Sequence, residues 1–263
     1  MLPTKYWIEM RAADFRAARM ADVIAVLPVA AVEQHGPHLP VGVDLAIMQG
    51  YLARVVERLP ADLRALFLPV QAVGVSTEHG DFPGTLTLTP EAALASWRDI
   101  GASVARAGCR KIVIVNSHGG NSALVDILAQ ELRARHEMLA VRAAWGRFGA
   151  PDGLFSAQER THGIHGGDVE TSLMLAFAPE LVDMSRAGKF TPASVGFETE
   201  FTWLRADRPI GFGWMAQDLS DNGAMGDASA ATAAKGEALA DYGATAFIEL
   251  LRDVEAFDLA RLG

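Results

Sequence analysis

The chain has 263 residues, half of them hydrophobic and 8% aromatic, with a formal charge of −9. That is enough apolar material to bury a full core in one large domain. The acidic balance argues against sequence-independent nucleic-acid binding and against docking on an anionic membrane. The single cysteine, Cys109, excludes an intrachain disulfide and favours a cytoplasmic setting. Next to Arg110 and Lys111, it reads as a small buried residue entering a strand. Met1 to Arg11 carries Lys5, Glu9 and Arg11 and does not read as a secretory signal, and no apolar run reaches the length of a membrane span.

In chain order, a short lead-in is followed by a helix around Ala12 to Ala21 and an apolar strand from Val23 to Ala31. The polar loop Glu33-Gln34-His35-Gly36-Pro37-His38-Leu39-Pro40 comes next. From Asp44, the residues Leu45, Met48, Leu52, Val55, Val56 and Leu59 recur at three- and four-residue spacing, one face of a helix stopped by Pro60. Leu66 to Val73 reads as a second strand, followed by a long polar loop from Gly74 to Thr85. Thr89-Pro90-Glu91 is a helix start with a capping hydroxyl, proline in the first turn and an acid at the positive end of the dipole. Lys111 to Val115 is a strand of β-branched residues that runs into Asn116-Ser117-His118-Gly119-Gly120-Asn121. A helix follows through Leu124, Ile127, Leu128 and Leu132, then a strand from Met138 to Trp145.

This alternation predicts an α/β fold: three αβα layers around a mainly parallel sheet, in a single domain over residues 1–263. In such sheets ligands sit beyond the carboxyl ends of the strands. The loops after the first three strands all fall on that rim. Residues 146–165 read as an excursion over the site. His165-Gly166-Gly167-Asp168-Val169-Glu170-Thr171-Ser172 leads into a buried helix stopped by Pro179, and Ala230 to Leu251 is an Ala-rich closing helix. Residues 185–228 show no clear strand, and Trp203 and Trp214 fit a hairpin or a lid.

A loop at the end of a buried strand cannot hide several charges without a partner, and a divalent cation is such a partner. Glu33 and His35 point to one side if the backbone stays extended. Asp44 is brought back by the turn that Gly36, Pro37, Pro40 and Gly42 favour. His118 precedes two glycines that leave room for a ligand against the backbone. Glu170 falls in the first turn of its helix, with His165 in the approach. Of the seven histidines, only His136 reads as an ordinary helix-end residue. Three carboxylates with two or three imidazoles can hold two zinc, manganese or iron ions, one carboxylate bridging. Such a pair acidifies a bridging water and polarises a carbonyl, the chemistry of amide hydrolysis.

These motifs, together with Phe82-Pro83-Gly84-Thr85, resemble those of the creatininase (creatinine amidohydrolase) family, in the same order and over most of the chain. The resemblance implies an αβα fold, a binuclear site, a small amide substrate and a hexameric homo-oligomer. It implies Asp44 as bridging ligand, Glu33 and His118 on one metal, His35 on the other, and His165 at the reacting carbonyl. Ser76, Gly119 and His165 are expected on the substrate side, and His165 and Glu170 as catalytic groups.

Two departures from creatininase proper matter. A glutamate ligand is replaced by Gly120, for which Glu170 is the natural substitute. A substrate-enclosing Trp-Asp pair is replaced by Thr161 and His162. The metal chemistry therefore carries over better than the substrate. Other branches share the motifs: a formamidopyrimidine-type deformylase, a peptidase trimming a redox-cofactor precursor, and a hydrolase of an oxidised inositol. A non-catalytic protein binding a metal or a sugar is the alternative of another class, though the motifs offer more carboxylate than a closed structural metal site uses.

Overall fold

The structure is a computed structural model that describes residues 2–262. Its centre is a four-stranded parallel sheet in the order β2-β1-β3-β4, formed by β1 (Ile24–Val29), β2 (Ala65–Phe67), β3 (Lys111–Asn116) and β4 (Leu139–Ala144). Every residue of β1 and β3 is buried, as strands covered on both faces must be.

The two faces have separate cores. Ile24 and Val26 of β1, with Val113 and Val115 of β3, meet a layer made by α2 (Val43–Arg58), α6 (Asp168–Phe177) and α9 (Ala233–Ala256). The alternate residues Ala25, Leu27 and Val29, with Ile112 and Ile114, meet α3 (Pro90–Arg106) and α4 (Ser122–His136). Three layers follow from the period-two alternation along strands that are apolar on both sides. The lead-in helix α1 (Ala12–Ala17) is shorter than expected. Ala18 leaves helical backbone, and a 3₁₀ turn at Met20–Asp22 then buries Met20.

The second strand is also shorter than the apolar run Leu66 to Val73 suggests. Pro28 of β1 has no N–H to give that side of the ladder, between Ile24 and Ala30, which donate to the Arg64 and Gln71 carbonyls. Pairing resumes only where Gln71 donates to the Pro28 carbonyl and accepts from Ala30, both at 2.9 Å.

The stretch 146–165 holds α5 (Ala157–His162). The region left without clear elements contains a two-stranded antiparallel ribbon of β5 (Lys189–Phe190) and β6 (Gly226–Asp227), with α7 (Ser194–Glu200) and α8 (Ala216–Leu219) between them. Trp214 donates its indole N–H to the Ala206 carbonyl at 2.9 Å and joins a small core of Ala206, Ala216, Leu219 and Met225. Trp203 lies at the surface, 66% exposed. Among the described residues, no helix is long and apolar enough to cross a membrane.

Candidate metal centre

Beyond β1, Ala30, Ala31 and Glu33 are buried, and the Glu33 N–H donates to the Val41 carbonyl at 2.9 Å. That bond closes the loop 33–41 and returns the chain to the rim. Asp44 is thus set in the first turn of α2, opposite Glu33 and near the helix's positive end. Gly36 permits the turn: its φ is +76°, and a Cβ there would lie 2.6 Å from the Ala224 side chain.

The loop after β3 is held by two asparagines. Asn116 accepts the His118 N–H at 3.1 Å. Asn121 donates to the Ala30 carbonyl at 3.0 Å and accepts the Val75 N–H at 2.9 Å, tying together the ends of the first three strands. His165 is paired with Met225 in an antiparallel bridge. Glu170, in the first turn of α6, accepts the Gly166 N–H at 2.6 Å.

Glu33, His35, Asp44, His118, His165 and Glu170 thereby meet. His118 Nδ1 is 3.2 Å from Glu33 Oε1 and 3.7 Å from Asp44 Oδ2. His35 Nε2 is 3.9 Å from Asp44 Oδ2 and 3.6 Å from Glu170 Oε2. His165 Nδ1 is 3.5 Å from Glu33 Oε1. Three imidazoles have one nitrogen committed to a backbone carbonyl: His35 Nδ1 to Glu33 at 2.9 Å, His118 Nε2 to Val75 at 2.8 Å, and His165 Nε2 to Gln34 at 2.5 Å. Each then turns its other nitrogen toward the carboxylates.

Ser76 is fully buried, its hydroxyl 3.4 Å from His118 Nε2. Gly119 is open, with nothing within 4 Å of where a Cβ would stand. Gly120 is not: a Cβ there would come 2.6 Å from Glu78 Oε1 and 2.5 Å from His118 Nε2. Two histidines of the rim motifs lie outside the cluster. His38 Nε2 pairs with the Thr171 hydroxyl at 2.8 Å. His162 bonds Ser194 at 3.1 Å and faces Glu198 at 3.4 Å.

Glu78 and His79 are neighbours of the centre absent from the ligand set read off the sequence. Glu78 Oε1 is 3.6 Å from His118 Nε2, and His79 Nε2 is 3.5 Å from Glu33 Oε1. They sit on a 3₁₀ turn, Thr77–His79, inside a loop whose polarity was visible but whose aim was not.

The residues fit a divalent cation on the structure's own terms. Glu33 Oε2, His35 Nε2 and Asp44 Oδ2 are buried and have no hydrogen-bond partner. These three residues form one group whose ligand atoms lie within 4.8 Å of one another. Orphaned atoms of this kind, two acidic and one a lone-pair donor, are costly unless an ion meets them. The electrostatics agree. Burial pushes the Asp44 carboxyl well above the usual range, and nearby Glu33, Glu170 and Glu78 add to this although His118 opposes it. Burial also raises Glu33, but His118, His165 and His35 outweigh it and hold that carboxyl below the usual range. Burial lowers His118, but the Glu33 hydrogen bond and the charges of Asp44, Glu33 and Glu78 raise it to about 10. In the ion-free protein a proton thus occupies a place that a cation suits. Access is from one side: the Glu170 and Glu78 side chains are 23% and 20% exposed, while those of His35 and Asp44 are buried.

Comparison with known proteins agrees with this geometry. The family model described as creatinine amidohydrolase (Creatininase) matches residues 8–251. A mycofactocin precursor peptide peptidase of Mycolicibacterium smegmatis is 33% identical over 222 residues, 81% of this chain and 78% of that protein. Creatinine amidohydrolase of Pseudomonas putida is 33% identical over 196 residues, 67% of this chain and 74% of the relative. Among solved structures, a creatininase with one tryptophan changed to alanine superposes with a TM-score of 0.77 at 26% identity, covering 97% of this chain and all (100%) of its own. A manganese creatininase gives 0.75 at 26%, covering 95% and 98%. With the family match running over nearly the whole chain and the motif residues meeting at one buried centre, the chain belongs to the creatininase family of hydrolases that act on carbon–nitrogen bonds.

Proposed function

We propose that residues 1–263 form one metal-dependent amidohydrolase domain that cleaves the C–N bond of a small amide, cyclic amide or formamide at a binuclear centre. The observation that carries this reading is the meeting of Glu33, His35 and Asp44, each with a buried polar atom that has no partner. Glu33 and His118 would hold one ion, His35 and Glu170 the other, with Asp44 serving both. Nitrogen and carboxylate donors of this kind suit zinc, manganese or iron. Bound there, the ions supply Lewis acidity and an acidified water.

The chain's own groups do the rest. The carbonyls of Glu33 and Val75 hold His35 Nδ1 and His118 Nε2, which leaves His35 Nε2 and, once its proton is displaced, His118 Nδ1 for a metal. His165 is kept neutral by burial and by its neighbour His35, its pKa lowered to about 4. Its Nδ1 faces the centre as a proton acceptor at the reacting carbonyl. Glu170, partly open beside His35, would serve as a ligand and relay the proton of the attacking water to the leaving nitrogen. Gly119 leaves its backbone bare for the substrate. Ser76 supports His118 from behind, and this position favours holding the ring over meeting the substrate. The exposed apolar side chains of Phe201, Trp203, Ile210 and Phe212 suit burial in a homo-oligomer, for which the family resemblance implies a hexamer. A cytoplasmic setting completes the reading.

A peptidase that trims a precursor peptide is the second reading, favoured by the identity to the mycofactocin peptidase. Creatinine itself fits poorly, because His162 is turned toward Ser194 and Glu198. The test is a panel of creatinine, lactams, formamides and short peptides given to the metal-loaded protein. Turnover of a substrate other than creatinine is expected. It stops on chelation and returns with zinc or manganese. No turnover across the panel with metal bound would overturn the reading.

A further inference from the structure

Four imidazoles surround Glu33, and one of them is set differently from the rest. The Gln34 side chain fixes it. Gln34 Oε1 accepts the Gly36 N–H at 2.9 Å, and Gln34 Nε2 donates to the Gly223 carbonyl at 3.1 Å. These two partners, one a donor and one an acceptor, decide which end of the amide is which. The same Nε2 lies 2.7 Å from His79 Nδ1. An amide nitrogen can only donate, so His79 Nδ1 accepts. The proton of the neutral ring is therefore on Nε2, which points at Glu33 Oε1 across 3.5 Å. His35, His118 and His165 turn toward the centre the nitrogen opposite the one held by a backbone carbonyl, whereas His79 turns an N–H.

We propose that His79 is not a metal ligand, although its distance to Glu33 and His165 would admit one. It is a positioning residue: it donates Nε2–H to Glu33 Oε1 and so leaves Oε2, the buried oxygen without a partner, to face the metal. Gln34 sets its tautomer. Gly223, at φ +82°, packs so close that a Cβ there would meet Gln34 Oε1 at 2.2 Å. The segment ahead of β6 thereby clamps the amide that orients the ring. Carboxylate ligands need such outer donors, because an unanchored carboxylate can rotate and exchange its oxygens at the metal. The inference rests on the metal-centre reading of the preceding section, while the tautomer stands on hydrogen bonding alone.

The experiment is metal binding by chelator competition and by mass-spectrometric counting, on the full chain and on His79→Ala, His79→Gln and Gln34→Glu. All variants are expected to reach the wild-type number of ions at saturation. His79→Ala weakens binding about 10- to 100-fold, the usual effect of losing an outer partner. His79→Gln keeps an N–H near the place of Nε2 and recovers most of that loss. Gln34→Glu replaces the donor by an acceptor, moves the ring proton to Nδ1 and weakens binding as His79→Ala does. Nitrogen-15 NMR of the unaltered protein reads the ring directly, so the inference is testable even if a variant fails to fold. His79 should carry its proton on Nε2, and with cadmium bound it should show no metal coupling, unlike His35 and His118. A proton on Nδ1, cadmium coupling at His79, or one ion lost in His79→Ala and not restored by glutamine would each overturn the inference. If the unaltered protein bound no divalent ion, the metal-centre reading would fail and with it the proposed role at Glu33; the nitrogen-15 spectrum would still judge the tautomer that Gln34 imposes.

Discussion

Nδ1 of His118 stands 3.2 Å from Oε1 of Glu33, while the opposite ring nitrogen is tied to the Val75 carbonyl. A lone pair aimed at a carboxylate inside the protein is repulsive unless a positive charge lies between them. A proton on Nδ1 meets that need in the ion-free molecule, and a metal bound by His118 Nδ1 must displace it. Competition between proton and metal is therefore built into the centre.

Metal uptake should release protons. The ion-free His118 titrates near 10, because the Glu33 hydrogen bond and the charges of Asp44, Glu33 and Glu78 outweigh burial. The ring is thus protonated on both nitrogens at neutral pH, and a metal must displace the Nδ1 proton. For each proton displaced, affinity rises about tenfold per pH unit below that value and levels off above it. Calorimetric titration in two buffers of different ionisation enthalpy counts the protons. An affinity independent of pH between 6 and 9 would contradict the assignment.

Asp44→Asn should lose metal and turnover together. The change keeps the shape but removes the charge and puts an amide NH2 in place of one of the two oxygens beside His35 and His118. Outer partners of metal ligands are worth about 10- to 100-fold, and a shared ligand is expected to cost at least the upper end of that range. The variant should still fold, since the charge it removes is a buried one that is costly without an ion. Full turnover by the variant after exhaustive chelation would end the metal scheme.

Cys109 should resist thiol reagents in the native protein. Burial pushes its thiol up to about 12, with only Arg110 opposing. An unfolded cysteine titrates near about 8.5. Labelling at pH 8 should therefore be slower in the folded chain by roughly a hundred-fold or more, and become rapid in denaturant. Equal rates in both states would show the residue to be accessible.

Lys111→Met should destabilise the fold without touching the centre. Lys111 Nζ donates to the carbonyls of Val254, Glu255 and Phe257 at 2.8, 2.7 and 2.9 Å, closing the carboxyl end of α9 against the first residue of β3. Leaving those acceptors unmet costs about 1–3 kcal/mol, to be read from denaturant unfolding. Metal stoichiometry should be unchanged.

The parallel sheet, the helices α2, α3, α4 and α6 and most ligand candidates were legible in the residues themselves. Apolar periodicity, Pro60, the Thr89-Pro90 cap and the His-carboxylate motifs act over a few positions, and local chemistry is what a linear reading captures. The second strand is shorter than the apolar run Leu66 to Val73 suggests, because Pro28 of the neighbouring strand gives the ladder no N–H there. The ribbon of β5 and β6 was missed because two residues per strand carry no period. At the centre, composition settled which side chains can bind an ion, but not how each ring is turned. That depends on partners far along the chain: the Val75 carbonyl for His118, the Gln34 carbonyl for His165, and for His79 an amide held by Gly36 and Gly223. A histidine's role is set by which nitrogen has found a hydrogen-bond partner, and only the folded chain decides that.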